Sequence, residues 1–134
     1  MVDLWGYRFK DTNLWCRALT HKSVRGAQSM EQLEFLGDTV LNMLASEYIV
    51  RSMPSASEGA MSIRRSAIVC NAHLAHVAVK LKLGPVLYMG RGEECDGGRQ
   101  KLSILSDAVE AIIGAIYMDG GLDAARQFVT RWVL

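Results

Sequence analysis

The stretch Ala108-Val109-Glu110-Ala111-Ile112-Ile113-Gly114-Ala115-Ile116 carries a single charged side chain. A run this apolar belongs inside a protein. A lone carboxylate there is costly unless a cation, an ion pair or a proton neutralises it. Whatever the chain folds into must therefore bring a partner to Glu110. Asp107 precedes it by three residues and shares its face on a helix. A second stretch has the same character: Glu31, Glu34 and Asp38 stand at i, i+3 and i+7, with Asp38 set among Leu36, Gly37, Val40 and Leu41. Asp38 and Glu110 are both expected to face the interior. For Glu31, a plain solvated helix face is an equal alternative.

No Lys or Arg lies within residues 30–49 or 102–123. A divalent metal is then the simplest compensation for four or five acids. An all-oxygen donor set with no His or Cys favours Mg²⁺ or Mn²⁺ over Zn²⁺. A di-iron bundle would need Glu-x-x-His pairs, and neither acidic stretch contains a His. Acids holding Mg²⁺ without a Ser-His or Cys-His nucleophile point to phosphoryl chemistry. Glycoside hydrolysis uses two carboxylates across a cleft rather than a group of four.

The remaining pattern is helical. A short helix is expected after Asp11, with Thr12 or Asn13 as caps and Leu14, Trp15, Ala18 and Leu19 as its apolar face. Thr20 to Ser29 reads as a turn. Leu33, Leu36, Val40 and Leu44 mark a long helix from Met30 to about Arg51, closed by Pro54. Ser57 caps a further helix that carries Met61, Ile68, Leu74, Val77 and Leu81 toward Gly84-Pro85. Gly90 to Arg99, with four glycines and three acids, is expected to be a mobile connection; no Gly-Lys-Ser/Thr makes it a phosphate-binding loop. Leu102 to about Met118 forms another helix, ended by Gly120-Gly121, and Asp123 to Leu134 forms the last. No period-two alternation is present, so the fold class is all-α. The 134 residues suit one domain, 1–134. A net charge of +1 means that any polyanion site must come from local clustering. No apolar run is long enough for a membrane span, and no secretory signal is visible. Cys16, Cys70 and Cys95 form no CxxC pair; reduced, mostly buried thiols and a cytoplasmic location are expected.

Glu31-Gln32-Leu33-Glu34-Phe35-Leu36-Gly37-Asp38 resembles the signature of the ribonuclease III endonuclease domain, whose usual form is Asn-Glu-Arg-Leu-Glu-Phe-Leu-Gly-Asp. Ser103 to Tyr117, containing Asp107-Ala108-Val109-Glu110, resembles the family's second motif. Ala18-Leu19-Thr20-His21-Lys22-Ser23, Glu58-Gly59 with Met61-Ser62, and Asn71 follow in family order. Met30 and Gln32 replace the usual Asn and Arg, and Ala60 stands where an acid is common. The resemblance implies an all-helical homodimer that cleaves double-stranded RNA with Mg²⁺ (Mn²⁺ able to substitute), leaving 5′-phosphate and 3′-hydroxyl ends in RNA processing. Glu34, Asp38, Asp107 and Glu110 match the family's metal-binding quartet, with Asp38 and Glu110 most essential for cleavage. Glu31 and Glu58 match auxiliary acids near the dimer cleft. Phe35 matches an aromatic that plugs into the partner subunit. The C-terminal double-stranded-RNA-binding domain of bacterial members is absent, so RNA binding is expected to be weak and salt-sensitive.

Arg64 and Arg65, with Arg91, Arg99 and Lys101, are the candidate RNA contacts; a solvated charged surface is the equal alternative. His21 and Lys22 sit near the cleft only by family analogy. His73 and His76 lack a third ligand and read as structural. Two other functions stay open at this point: a catalytically silent RNA-binding or scaffold domain, and an all-α nucleotide pyrophosphohydrolase.

Overall fold

A computed structural model describes residues 3–134. A two-residue antiparallel hairpin, β1 (Asp3–Leu4) and β2 (Tyr7–Arg8), precedes six helices: α1 (Thr12–Ala18), α2 (Glu31–Ser52), α3 (Glu58–Val69), α4 (Asn71–Lys80), α5 (Arg91–Cys95) and α6 (Leu102–Trp132). The all-α class holds apart from this hairpin, which is too short to leave an alternating pattern in sequence. Trp5 and Gly6 both take positive φ at its turn, which suits the twist of a two-residue hairpin loop.

Local chemistry accounts for the helix ends. Asp11, not Thr12 or Asn13, caps α1 by accepting from the Asn13 N–H at 2.9 Å. Ser57 caps α3 as its position predicts, accepting from the Ala60 N–H. The single helix expected from Ser57 to Gly84 is two, because Cys70 adopts an extended conformation between α3 and α4. Gly121, at φ 87° and ψ −176°, breaks α6 where the Gly120-Gly121 pair predicts an end. The segment from Gly90 to Arg99, expected as a mobile connection, has regular structure of its own. It contains α5 and a 3₁₀ turn over Gly98–Gln100.

α6 is the central element, with α1, α2 and α4 packed against it. From Ala108 to Ile116 every residue is at most 1% exposed except Gly114, which is also buried, and Glu110, which is half-buried. The helix is thus walled in all round, with one gap at the carboxylate.

The closest packing joins α2 to α6. A Cβ at Gly37 would lie 1.7 Å from the Glu110 carbonyl oxygen, and one at Gly114 would lie 2.2 Å from the Leu33 carbonyl oxygen. Backbone meets backbone here, so neither side can yield by a rotamer change. The three cysteines are free and exposed, against the expectation of burial.

Alanine at Gly37 or Gly114 should cost at least about 3 kcal/mol, because the overlap exceeds what core repacking absorbs. Thermal melts of the two variants check this; wild-type stability in either would show that the helices can slide apart.

Candidate active site

The glycine crossing sets the site. Glu34 and Asp38 flank Gly37 on α2, while Glu110 and Asp107 lie one and two turns before Gly114 on α6. Locking the two glycines together brings the four acids to one side of the contact. One carboxylate oxygen from each of Glu34, Asp107 and Glu110 lies within 4.8 Å of the others. Asp38 joins through Glu110, within hydrogen-bonding reach of its carboxyl.

Asp38 is exposed rather than interior. Gly37 takes the buried contact with α6, and the next residue on a helix turns about 100° away from it. The Asp38 side chain therefore sits at the rim, accepting from Asn42 Nδ2 at 3.2 Å. Glu110 carries the buried role alone.

The electrostatics follow from crowding. Burial, then the neighbouring Asp107 and Glu31, push Glu34 up to about 7. Burial, then Asp38, Glu34 and Asp107, push Glu110 up to about 8. Burial also raises Asp107, against the pull of a hydrogen bond from Glu34 and of the nearby His21 and Lys22. The carboxyls hold protons as a group, not as independent sites. The ion pairs among the described residues are Arg99–Glu94, Lys101–Glu93, Arg126–Glu47 and Arg126–Asp123. None touches the cluster, so no ion pair satisfies its charge. The donors are oxygens only, which fits a hard divalent cation.

The other expected site residues are scattered. Glu31 is exposed beside Glu34 and accepts from Ser29 Oγ at 3.3 Å. Glu58 is not brought to the cluster. It accepts from Ser62 Oγ at 2.8 Å and faces a cavity of about 160 Å³ between α2 and α3. Phe35 stands 80% exposed on α2. Arg64 projects from α3 into solvent, and exposed Arg65 donates to Ser46 Oγ at 2.9 Å. Arg99 is committed inside the fold. Its Nη1 donates to the carbonyls of Gly84 (2.7 Å) and Leu87 (2.8 Å), and its Nε to Glu94 (2.6 Å). Lys101 is held by Glu93 at 2.5 Å. The acids of α5 thus hold the two cations that sequence position places nearest the site. His73 is structural, its Nε2 lying 2.7 Å from the Val133 carbonyl. Asn71 braces the core by accepting from Ser106, a fully buried hydroxyl, at 2.9 Å.

Two contributors carry little sequence signal. Lys22 acts on both Glu34 and Asp107 from the loop after α1. Gly37 and Gly114 could have been found as one glycine in the apolar face of each acidic helix.

Comparison with known proteins matches this architecture. The pattern of the Ribonuclease-III-like family covers residues 11–134. Ribonuclease 3 of Pelotomaculum thermopropionicum is 44% identical over 134 residues, covering 96% of this chain and 56% of that protein. Ribonuclease 3 of Solibacter usitatus is 48% identical, covering 96% of this chain and 51% of that protein. The chain therefore spans about half the length of these relatives. The crystallised nuclease domain of ribonuclease III from Campylobacter jejuni, described for flexibility in a region involved in dimer formation, superposes with a TM-score of 0.94 at 43% identity, covering 96% and 90% of the two chains. Dicer from Pichia stipitis gives a TM-score of 0.71 at 29% identity, covering 94% of this chain and 55% of that one. With its helical order, its paired acidic helices and these matches, the chain belongs to the Ribonuclease-III-like family.

Proposed function

We propose that this domain is a Mg²⁺-dependent endonuclease that hydrolyses phosphodiester bonds of double-stranded RNA, leaving 5′-phosphate and 3′-hydroxyl ends. The observation that carries this reading is the convergence of Glu34, Asp107 and Glu110 within 4.8 Å, with no ion pair to any of them among the described residues. Three unpaired carboxylates crowded together in a half-buried place cost the fold electrostatic energy. They suit a hard cation, with Mn²⁺ an acceptable substitute for Mg²⁺. Such an ion supplies Lewis acidity toward phosphate oxygens and lowers the pKa of water.

The protein's own residues have separable tasks. Glu34, Asp107 and Glu110 would hold the ion. Asp38, at the rim and open to solvent, is the fourth acid of the proposed quartet, and its role in this reading is to orient the attacking water. Glu31 extends the negative mouth of the site. Glu58 acts only as an auxiliary acid at a distance. Among the described residues no helix is long and apolar enough to cross a membrane.

The active form is a homodimer. Phe35, Met43 and Val50 lie at i, i+8 and i+15 on α2, all exposed, and Ile63 on α3 is 75% exposed. This apolar strip runs beside the acids, where water would gain nothing from it. A second copy with its strip against this one covers Phe35 and pairs two sites for the two strands of a duplex.

Glu110→Gln or Asp38→Ala should abolish Mg²⁺-dependent cleavage of a long RNA duplex, with a loss of at least about a thousandfold and little change in the melt. Full activity in either variant, or turnover of free nucleoside triphosphates in place of RNA, would reject the assignment.

The raised carboxyls give a pH signature. Without metal, the folded state holds more protons than the unfolded chain from about pH 4.5 up to about 8. Stability must therefore fall as pH rises through that window. The lowered acids Glu47, Glu93 and Asp119 act below it. Mg²⁺ should raise the melting temperature more at pH 8 than at pH 6. Calorimetry in chelator and in Mg²⁺ checks this; a metal-free melt that climbs steadily from pH 5 to 8 would contradict it.

Phe35→Glu should shift sedimentation from dimer to monomer, since it puts a charge beside Glu34 and Glu31 and removes the exposed ring. A dimer that survives this change places the interface elsewhere.

A further inference from the structure

Outside the carboxylate quartet, His21 is a constrained polar side chain near the site, only 9% exposed. The Ser23 backbone N–H donates to its Nδ1 at 3.1 Å, and Ser23 Oγ lies 2.8 Å from the same nitrogen. That hydroxyl already accepts from the Gly90 N–H at 2.8 Å, which leaves its hydrogen free to donate to Nδ1. Nδ1 therefore presents its lone pair, and the proton of the neutral ring sits on Nε2. Nε2 has no partner among the described residues. It is also not one of their buried, unpartnered side-chain atoms, of which Arg17 Nε is the single example. The Nε2–H thus opens to the surface.

The segment that carries it is rigid and tied to the quartet. The His21 N–H donates to the Tyr88 carbonyl, and the Tyr88 N–H to the Leu19 carbonyl, both at 2.8 Å. The Thr20 carbonyl accepts from Met30, whose own carbonyl accepts from the Glu34 N–H, again at 2.8 Å each. One chain of backbone bonds therefore runs from the His21 loop to a quartet residue. Gly90 permits the close approach, since a Cβ there would lie 2.5 Å from the Ser23 carbonyl oxygen. His21 is near enough to act electrostatically on Asp107 and on Glu93. A donor fixed in direction, close to the acids and bonded to none of them, is oriented for an acceptor that arrives from outside.

We propose that His21 presents Nε2–H as the hydrogen-bond donor that seats a phosphate oxygen of the RNA strand beside the carboxylate quartet, making it a substrate-positioning residue. This rests on the duplex-RNA reading above. Ser23 and Gly90 act through it by holding the tautomer and the loop.

The test uses three forms of the chain. His21→Asn puts an amide near the place of Nδ1 and leaves no donor at the reach of Nε2; His21→Gln extends an amide N–H to that reach. His21→Asn should raise KM for a short RNA duplex about tenfold, the effect of one lost bond to a charged acceptor, with kcat little changed. His21→Gln should restore most of it. A KM for His21→Asn equal to that of the wild type overturns the proposal, as does an equal fall in kcat and rise in KM for both variants. ¹⁵N-histidine NMR of the wild-type protein decides the matter even if a variant fails to fold. In Ca²⁺, the free protein should show an unprotonated Nδ1, and the Nε2–H signal should move when the duplex binds. A proton on Nδ1, or an Nε2–H signal unmoved by bound duplex, overturns the proposal while leaving the nuclease reading intact. A wild-type chain that neither binds nor cuts the duplex overturns both.

Discussion

Two peptide backbones in contact, at Gly37 and Gly114, are what the rest of the molecule depends on. Side chains normally separate crossing helices by 8–10 Å. Removing them at one point on each helix lets α2 and α6 close to where a Cβ would overlap a carbonyl oxygen. The acids a turn away are then forced together. The same contact buries α6 so thoroughly that Glu110 has only its acidic neighbours to face. Packing and chemistry are consequently one feature: a change that loosens the crossing disperses the carboxylates.

The cost of that arrangement is electrostatic. Like charges crowded in a half-buried place resist ionisation, which is why Glu34 and Glu110 hold protons near neutrality. A structural protein would gain by replacing one acid with a cation. This one instead keeps its cations elsewhere, with Arg99 spent on carbonyl oxygens of Gly84 and Leu87 and Lys101 spent on Glu93. Those pairs brace the segment before α6, and so hold the helix start in register with α2.

Much of this was legible in the residues. Helical spacing gave α2 and α6, Ser57 announced a cap, and Gly120-Gly121 announced a break. Acids in apolar surroundings announced the quartet. The misreadings have physical causes. Asp38 looked interior because its neighbours are apolar, but on a helix adjacent residues point about 100° apart, and Gly37 took the buried direction. The break at Cys70 depends on one backbone ψ angle, which no residue type there demands. The segment from Gly90 to Arg99 is glycine-rich yet ordered, because Glu93 and Glu94 find cations that follow them in the chain. Arg99 and Lys101 were placed near the site by position alone, and composition cannot say which cations are already engaged. His21 carried no signal of its own, since its fixed tautomer depends on Ser23 and Gly90 meeting across the loop.

The hairpin at the start of the chain has a further consequence for how the protein is made. The Trp5 carbonyl accepts from Trp132 Nε1, and Tyr7 donates to Asp119, across sequence separations of 127 and 112 residues. Asp119 also binds the backbone N–H groups of Lys10 and Asp11, just before α1. During synthesis these anchors do not exist until nearly all of α6 has left the ribosome. Residues of the hairpin emerge before α6 and are thus among the last to find their partners, and the closing of so long a loop is a late step of folding.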